Sequence, residues 1–223
     1  MGIIQIKKLD FSLSNLMRYN IIGITGGSGS GKTYLSNFIQ EKFGKDNINI
    51  IQMDSYYNDL KHLIMDEREK NNFDHPKAFD FNLLLNHLKI LDSKGKVDIP
   101  IYDYKTHTRE SKTNTIFTKP ILIIEGIFAV YNEKIRALMN LVVFIDIDNN
   151  IRKKRRIERD IIQRKRTKES IINQYENVVE PMQKKYILPM KNKSNLILKE
   201  NSEKSYEFNK LIDYINKIIY KNE

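Results

Sequence analysis

The sequence predicts an α/β fold: a central, mostly parallel five-stranded sheet flanked by helices. Three observations predict it. Three runs are predominantly apolar, Asn20-Ile-Ile-Gly-Ile-Thr25, Ile121-Leu-Ile-Ile124 and Leu141-Val-Val-Phe-Ile145, as expected of strands covered on both faces of a parallel sheet. Segments of helical period stand between the runs. The stretch Gly23-Ile-Thr-Gly-Gly-Ser-Gly-Ser-Gly-Lys-Thr33 holds five of the nine glycines and joins the first run to the first helical pattern.

Taken in order, residues 1–19 read as an N-terminal extension, because Lys7, Lys8 and Asp10 interrupt any apolar leader core. A single domain then spans 20–223, a length that supports one sizeable core. Its first strand covers Asn20–Thr25 and is followed by a helix from Lys32 to about Phe43. A weaker strand, Ile48–Met53, and a helix from Phe81 to about Leu91 come next. In 97–118, Pro100 and Pro120 bracket two β-prone pieces, Asp98–Tyr104 and Asn114–Thr118, which predict a hairpin insertion standing off the sheet. Beyond the strands at 121–124 and 141–145, helical patterns cover Asn132–Met139, Asn149–Arg164, Glu169–Val179 and Tyr206–Ile219. A short fifth strand lies at Leu196–Leu198.

Composition excludes several classes of function. The chain has no cysteine, which removes disulfides, a thiolate nucleophile and Cys-based metal sites and agrees with a cytoplasmic location. No apolar run approaches the ~20 residues of a membrane span, so no membrane partner is expected. Net charge is +10, and residues 151–169 carry ten Lys or Arg against three acids. Such a segment seeks an anion: nucleic acid, an acidic surface or nucleotide phosphates.

The spacing Gly26-x-x-x-x-Gly31-Lys32-Thr33 is that of a phosphate-binding P-loop, set between strand and helix as its mechanics require. Gly26, Gly27, Ser28, Gly29, Ser30 and Gly31 curl the backbone into a nest of N–H donors, with Tyr34 in the first helical turn. Lys32 reaches the β- and γ-phosphates as a point charge, and Thr33 offers a hydroxyl to Mg²⁺. The loop therefore predicts a nucleoside triphosphate. A GTPase would carry a guanine-reading Asn-Lys-x-Asp, but Asn209-Lys-Leu-Ile-Asp213 has the wrong spacing, and a motor ATPase would carry two acids where Glu125 stands alone. Asp54 and Glu125 end strands, where open α/β sheets bind ligands. One carboxylate can join the Mg²⁺ shell and the other can accept a proton from an attacking hydroxyl, the pattern of a small-molecule kinase.

Further landmarks follow: Gln52-Met-Asp-Ser-Tyr-Tyr57, Asn72-Phe-Asp-His-Pro-Lys-Ala-Phe-Asp80, Pro100-Ile-Tyr-Asp-Tyr-Lys-Thr-His-Thr-Arg109, Ile124-Glu-Gly-Ile-Phe128, Asp146-Ile-Asp148, Arg155-Arg-Ile-Glu-Arg-Asp160 and Gln174-Tyr175. With the P-loop, in this order, they resemble the uridine kinase (uridine–cytidine kinase) family of P-loop kinases over about Asn20 to Leu198. The resemblance implies a P-loop kinase fold with a nucleoside-binding hairpin and an Arg-rich helical lid over 150–170. It implies transfer of the γ-phosphate of ATP, or GTP, to the 5′-hydroxyl of uridine or cytidine, with Mg²⁺, in pyrimidine salvage. It also implies a homotetramer. Carried onto this chain, Asp54 is the catalytic base, and Asp74, Tyr102, His107, Arg156, Arg166 and Gln174 contact the nucleoside, flanked by Tyr104 and Phe128. Lys32 and Arg159 neutralise charge on the transferred group, and Thr33 and Glu125 position the metal.

Three positions depart from the family pattern: Lys165 stands where a glycine separates two lid arginines, Lys77 replaces an aspartate, and Tyr34 replaces a small residue. A kinase of another small hydroxyl compound, such as pantothenate or ribulose 5-phosphate, is the nearest alternative. An ATP-dependent nucleic-acid-binding protein using 151–169 is the alternative from another class.

Overall fold

The computed structural model describes residues 17–199 and 205–220. Most of the expected extension, residues 1–16, lies outside the described residues. Strand β1 (Asn20–Gly26) leads through the glycine loop into helix α1 (Lys32–Phe43), followed by β2 (Ile48–Gln52) and a 3₁₀ turn at Met53–Tyr56. Helices α2 (Met65–Glu69) and α3 (Phe81–Lys94) precede the hairpin of β3 (Lys96–Asp103) and β4 (Thr108–Phe117). Then come β5 (Ile121–Glu125), α4 (Glu133–Arg136), β6 (Leu141–Asp146) and α5 (Asn149–Arg164). Helix α6 (Lys168–Gln174) continues through a wide π-helical stretch at Tyr175–Val179, the single turn α7 (Glu180–Met182), a second π stretch at Gln183–Ile187 and a 3₁₀ end at Leu188–Lys193. Strand β7 (Leu196–Lys199) and helix α8 (Tyr206–Ile219) close the described chain.

The sheet has the order β2-β5-β1-β6-β7 with every pair parallel. The apolar runs sit where burial is complete: all five residues of β5 are buried, and six of the seven in β1. Leu35, Ile39 and Phe43 of α1 and Phe208, Leu211 and Ile215 of α8 cover one face. Leu84, Leu88 and Leu91 of α3, the hairpin's Val97, Ile99 and Ile116, and Ile187 and Met190 cover the other. Tyr19, buried, donates its hydroxyl to Leu88 O at 2.9 Å, which ties the entry to β1 onto α3. Among the described residues no helix is long and apolar enough to cross a membrane.

The hairpin stands apart as a two-stranded antiparallel sheet with a register shift between Pro100 and Tyr102. Its second strand starts six residues earlier than Asn114. Six of its ten residues are exposed in an unbroken polar run, so no alternation marks them and only pairing with β3 makes them a strand. Helix α4 is shorter than the expected Asn132–Met139. Asn132 caps the N–H groups of Lys134 and Ile135, and the chain then tightens into turns, with Leu138 N–H donating to Ile135 O and Met139 N–H to Arg136 O.

Helix α5 ends on Lys165, which adopts the left-handed conformation (φ 52°, ψ 34°) that favours glycine. A side chain there costs roughly 1–2 kcal/mol, less the entropy that glycine gives the unfolded chain. Lys165→Gly is therefore expected to raise Tm by about 1–4 °C in a thermal melt. An unchanged or lower Tm would show that Lys165 carries no net strain there.

Candidate active site

The site is assembled where β1, β2 and β5 end together. The P-loop leaves β1 at Gly26 and enters α1 through Gly31, whose φ of 94° is open to glycine alone at little cost. Gly27 is glycine for a different reason: a Cβ there would collide with the side chains of Arg152 and Gln183, both buried, which form the outer wall of the loop. The first N–H groups of α1 have no intrahelical partners, so they and the helix dipole favour an anion in the loop. Lys32 folds back over it, donating to Gly27 O at 3.0 Å. Burial lowers the Lys32 pKa, while the carboxylates of Glu125 and Asp54 work to keep it charged.

Thr33 Oγ1 donates to Glu125 Oε1 at 2.8 Å, which puts two oxygen ligands side by side at the mouth of the loop. Burial raises the Glu125 pKa, opposed by Lys32 and the Thr33 hydrogen bond. Mg²⁺ takes one or two protein oxygens together with phosphate oxygens and waters, and this pair fits that demand.

Asp54 lies in the turn that follows β2, and Tyr104 Oη donates to its Oδ2 at 3.1 Å. Burial raises its pKa; the Tyr104 hydrogen bond, Lys32, Arg164 and Arg159 pull it down. The guanidinium of Arg164 lies 5.2 Å over the Tyr104 ring, so the end of α5 reaches the carboxylate through that tyrosine.

Next to Asp54 the hairpin builds an aromatic wall. Tyr57 packs against Phe79 (4.3 Å between centroids) and Tyr102 (5.0 Å), and His107 stacks on Phe73 (4.6 Å, 18° between planes). The Tyr102 hydroxyl is buried and makes no hydrogen bond among the described residues. Burial lowers the His107 pKa, which favours the neutral imidazole, a group that can both donate and accept. Phe128, expected to flank the nucleoside, is instead wholly buried. It packs against Phe79, Tyr131 and Tyr186, so it can shape the site only through those rings.

Two arginines of the basic segment, Arg152 and Arg156, turn inward, while Lys154, Arg155, Arg164, Lys165 and Lys168 are exposed. The buried stripe of α5 is Arg152, Arg156 and Asp160, while Ile161 and Ile162 are exposed. Arg156 Nη1 stands 3.6 Å from Asp74 Oδ1, and its Nη2 donates to Gln174 Oε1 at 3.1 Å. Arg166 Nη1 donates to the same Gln174 oxygen at 2.6 Å. Arg159 lies against Asp160, its Nη2 2.8 Å from Oδ1. Five residues implied as substrate contacts or lid groups, Asp74, Arg156, Arg159, Arg166 and Gln174, thus form one network. Tyr34 is exposed on α1, and Lys77 is exposed with its N–H donating to His75 Nδ1.

Four residues of the site were not assigned roles from the sequence. Arg152 and Gln183 back the loop. Arg68 donates to Leu63 O, Thr106 O and Lys61 O at 2.8, 2.9 and 3.1 Å, which pins the hairpin turn before His107. Asp160 is the fourth. Its signal was present: an acid spaced i,i+4 from both Arg156 and Arg164 within a cationic helix. Arg68 and Gln183 carry no comparable local mark.

The sequence model of the phosphoribulokinase/uridine kinase family matches residues 21–207. The chain belongs to this family. It is 41% identical over 208 residues to the uridine kinase of Clostridium novyi, covering 93% of this chain and 100% of that protein. It is 46% identical over 180 residues to the uridine kinase of Streptococcus equi subsp. zooepidemicus, covering 81% and 86%. Solved structures agree in fold. Phosphoribulokinase from Rhodobacter sphaeroides superposes with a TM-score of 0.58 at 14% identity, covering 81% of this chain and 70% of that one. A possible uridine kinase from Bacillus stearothermophilus gives 0.54 at 19%, covering 81% and 88%. As a P-loop kinase family member the protein uses a nucleotide as phosphate donor.

Proposed function

We propose that the protein transfers the γ-phosphoryl group of ATP to the 5′-hydroxyl of uridine or cytidine, yielding UMP or CMP. The observation that carries this reading is the Tyr104–Asp54 hydrogen bond. It joins the tip of the hairpin, with its aromatic wall, to a carboxylate whose charge interacts with the P-loop lysine.

The geometry supports the following roles. The P-loop N–H groups and Lys32 hold the triphosphate and take up charge as it develops on the transferring group. Asp54 accepts the proton of the attacking hydroxyl. Thr33 and Glu125 would hold Mg²⁺, which would neutralise charge on the phosphates. Asp74 is an acceptor suited to the paired ribose hydroxyls, while His107 and Tyr102 present groups to the pyrimidine edge. Arg156, Arg166 and Gln174 close the ribose side, and Arg159 turns from Asp160 to the phosphates when α5 and the 165–167 hinge close over the site. In this reading residues 20–223 act as one domain, with 97–118 as the nucleoside hairpin and 150–170 as the lid, in a cytoplasmic homotetramer.

The test is a panel of acceptors with ATP and Mg²⁺: uridine, cytidine, pantothenate and ribulose 5-phosphate. UMP and CMP are the expected products; phosphorylation of another acceptor with uridine and cytidine untouched would overturn the assignment. Within the same assay, His107→Ala should raise the KM for nucleoside at least about tenfold while the KM for ATP stays within about twofold. Equal effects on both would place His107 outside the acceptor pocket.

A further inference from the structure

We propose that Asp160 is a positioning residue that couples the two substrate subsites, so that filling one tightens the other. The inference rests on the phosphotransferase reading above and deepens it.

Asp160 is wholly buried. Among the described residues its carboxylate gathers guanidinium groups from both sides of the site. Arg159 approaches Oδ1 through Nη2 at 2.8 Å and Nε at 2.9 Å. Arg164 Nε lies 3.7 Å from the same oxygen. Arg156 Nε and Arg166 Nη1 lie 3.6 and 3.8 Å from Oδ2. These arginines serve different ends. Arg156 and Arg166 continue to Gln174, and Arg156 to Asp74, on the ribose side. Arg159 contributes to the field at Lys32 and Asp54, and Arg164 lies over Tyr104, the donor to Asp54. One carboxylate is therefore the junction between the ribose side and the phosphate side.

A single acid cannot neutralise this many cations, so it is shared. When a phosphate draws Arg159 away, Oδ1 loses the hydrogen bond from Nε and the close ion-pair contact with Nη2, and the remaining guanidinium groups face a less neutralised carboxylate and move in. The slack for that movement is visible. Arg156 Nε and Asp160 Oδ2 are both buried, and among the described residues neither makes a hydrogen bond although they stand 3.6 Å apart. A displacement of about 0.7 Å makes this a charge-assisted hydrogen bond. It would fix the guanidinium that faces Asp74. By linkage the reverse holds: a nucleoside that tightens Arg156 loosens Asp160's hold on Arg159 and frees it for phosphate.

The test is calorimetric titration of the full-length protein with uridine, alone and with saturating β,γ-imido-ATP and Mg²⁺. The nucleotide analogue is expected to lower the uridine Kd of the wild type at least about fivefold. In Asp160→Asn that ratio should fall to about one, even where both separate affinities change. A residue that merely supports α5 would weaken both ligands and leave the ratio intact; that result, or a wild-type ratio of one, overturns the proposal. Should Asp160→Asn not fold, Asp160→Glu carries the test, since it moves the carboxylate by one methylene: a reduced ratio supports the coupling and an unchanged ratio overturns it. A wild type that binds the nucleotide analogue but no uridine overturns the functional reading itself. A wild type that binds both independently overturns the coupling alone.

Discussion

Asp54→Asn is expected to lower kcat by roughly 10²–10⁴-fold while the nucleoside Kd stays within about twofold, because the carboxylate acts on the proton transferred in the reaction. Rapid-quench kinetics together with equilibrium titration separate the two quantities; near-normal turnover would remove Asp54 from the base role. The same substitution carries a second, opposite effect. Burial raises the Asp54 pKa above its ordinary value in the folded protein. At pH values above that raised pKa the ionised form is disfavoured by folding, so the native carboxylate costs stability at neutral pH. Asparagine keeps the shape and removes the charge, so Tm at pH 7 should rise as activity falls, the exchange of stability for function often seen at active sites. A lowered Tm would mean that the Tyr104 contact and the nearby cations outweigh the burial.

Lys32→Met should produce the next largest loss, roughly 10²–10³-fold in kcat, from the removal of one preorganised charge at the transferring group. It should also move the pH profile. Lys32 pulls the Asp54 pKa down against the effect of burial. Without it the Asp54 pKa climbs further, and a base works only when deprotonated. The acid limb of the residual kcat/KM profile should therefore shift to higher pH, whereas loss of phosphate contact alone would lower the curve without moving it. An unshifted limb would separate Lys32 electrostatically from Asp54.

Local pattern made much of this molecule legible before its structure. The five strands, the P-loop and helix α5 lie where their residues place them, because continuous apolar runs, a glycine spacing and a 3.6-residue period are local signals. The reach of helix beyond Val179 was not legible. Pro181 and Pro189 each fall at the first or second position of a new helical stretch, where a missing N–H is tolerated, and two π stretches flank the first. The family resemblance implies that Phe128 flanks the pocket; its burial depends on Phe79 and Tyr186, which are distant in sequence. The pairing of Asp74 with Arg156 is likewise a product of tertiary folding. Residue types could nominate the members of the site, but not which of them hold one another while it waits for substrate.

The order of the strands also governs how the chain can fold as it is made. Strands β1 and β2 emerge early from a ribosome, yet each must hydrogen-bond to β5, which follows β1 by about a hundred residues. Until Ile121–Glu125 appears, β1 and β2 lack this partner, and their edges are open to aggregation. Synthesis of β5 licenses the pairing of β1 and β2, and the other edge of β1 stays open until β6, Leu141–Asp146, follows.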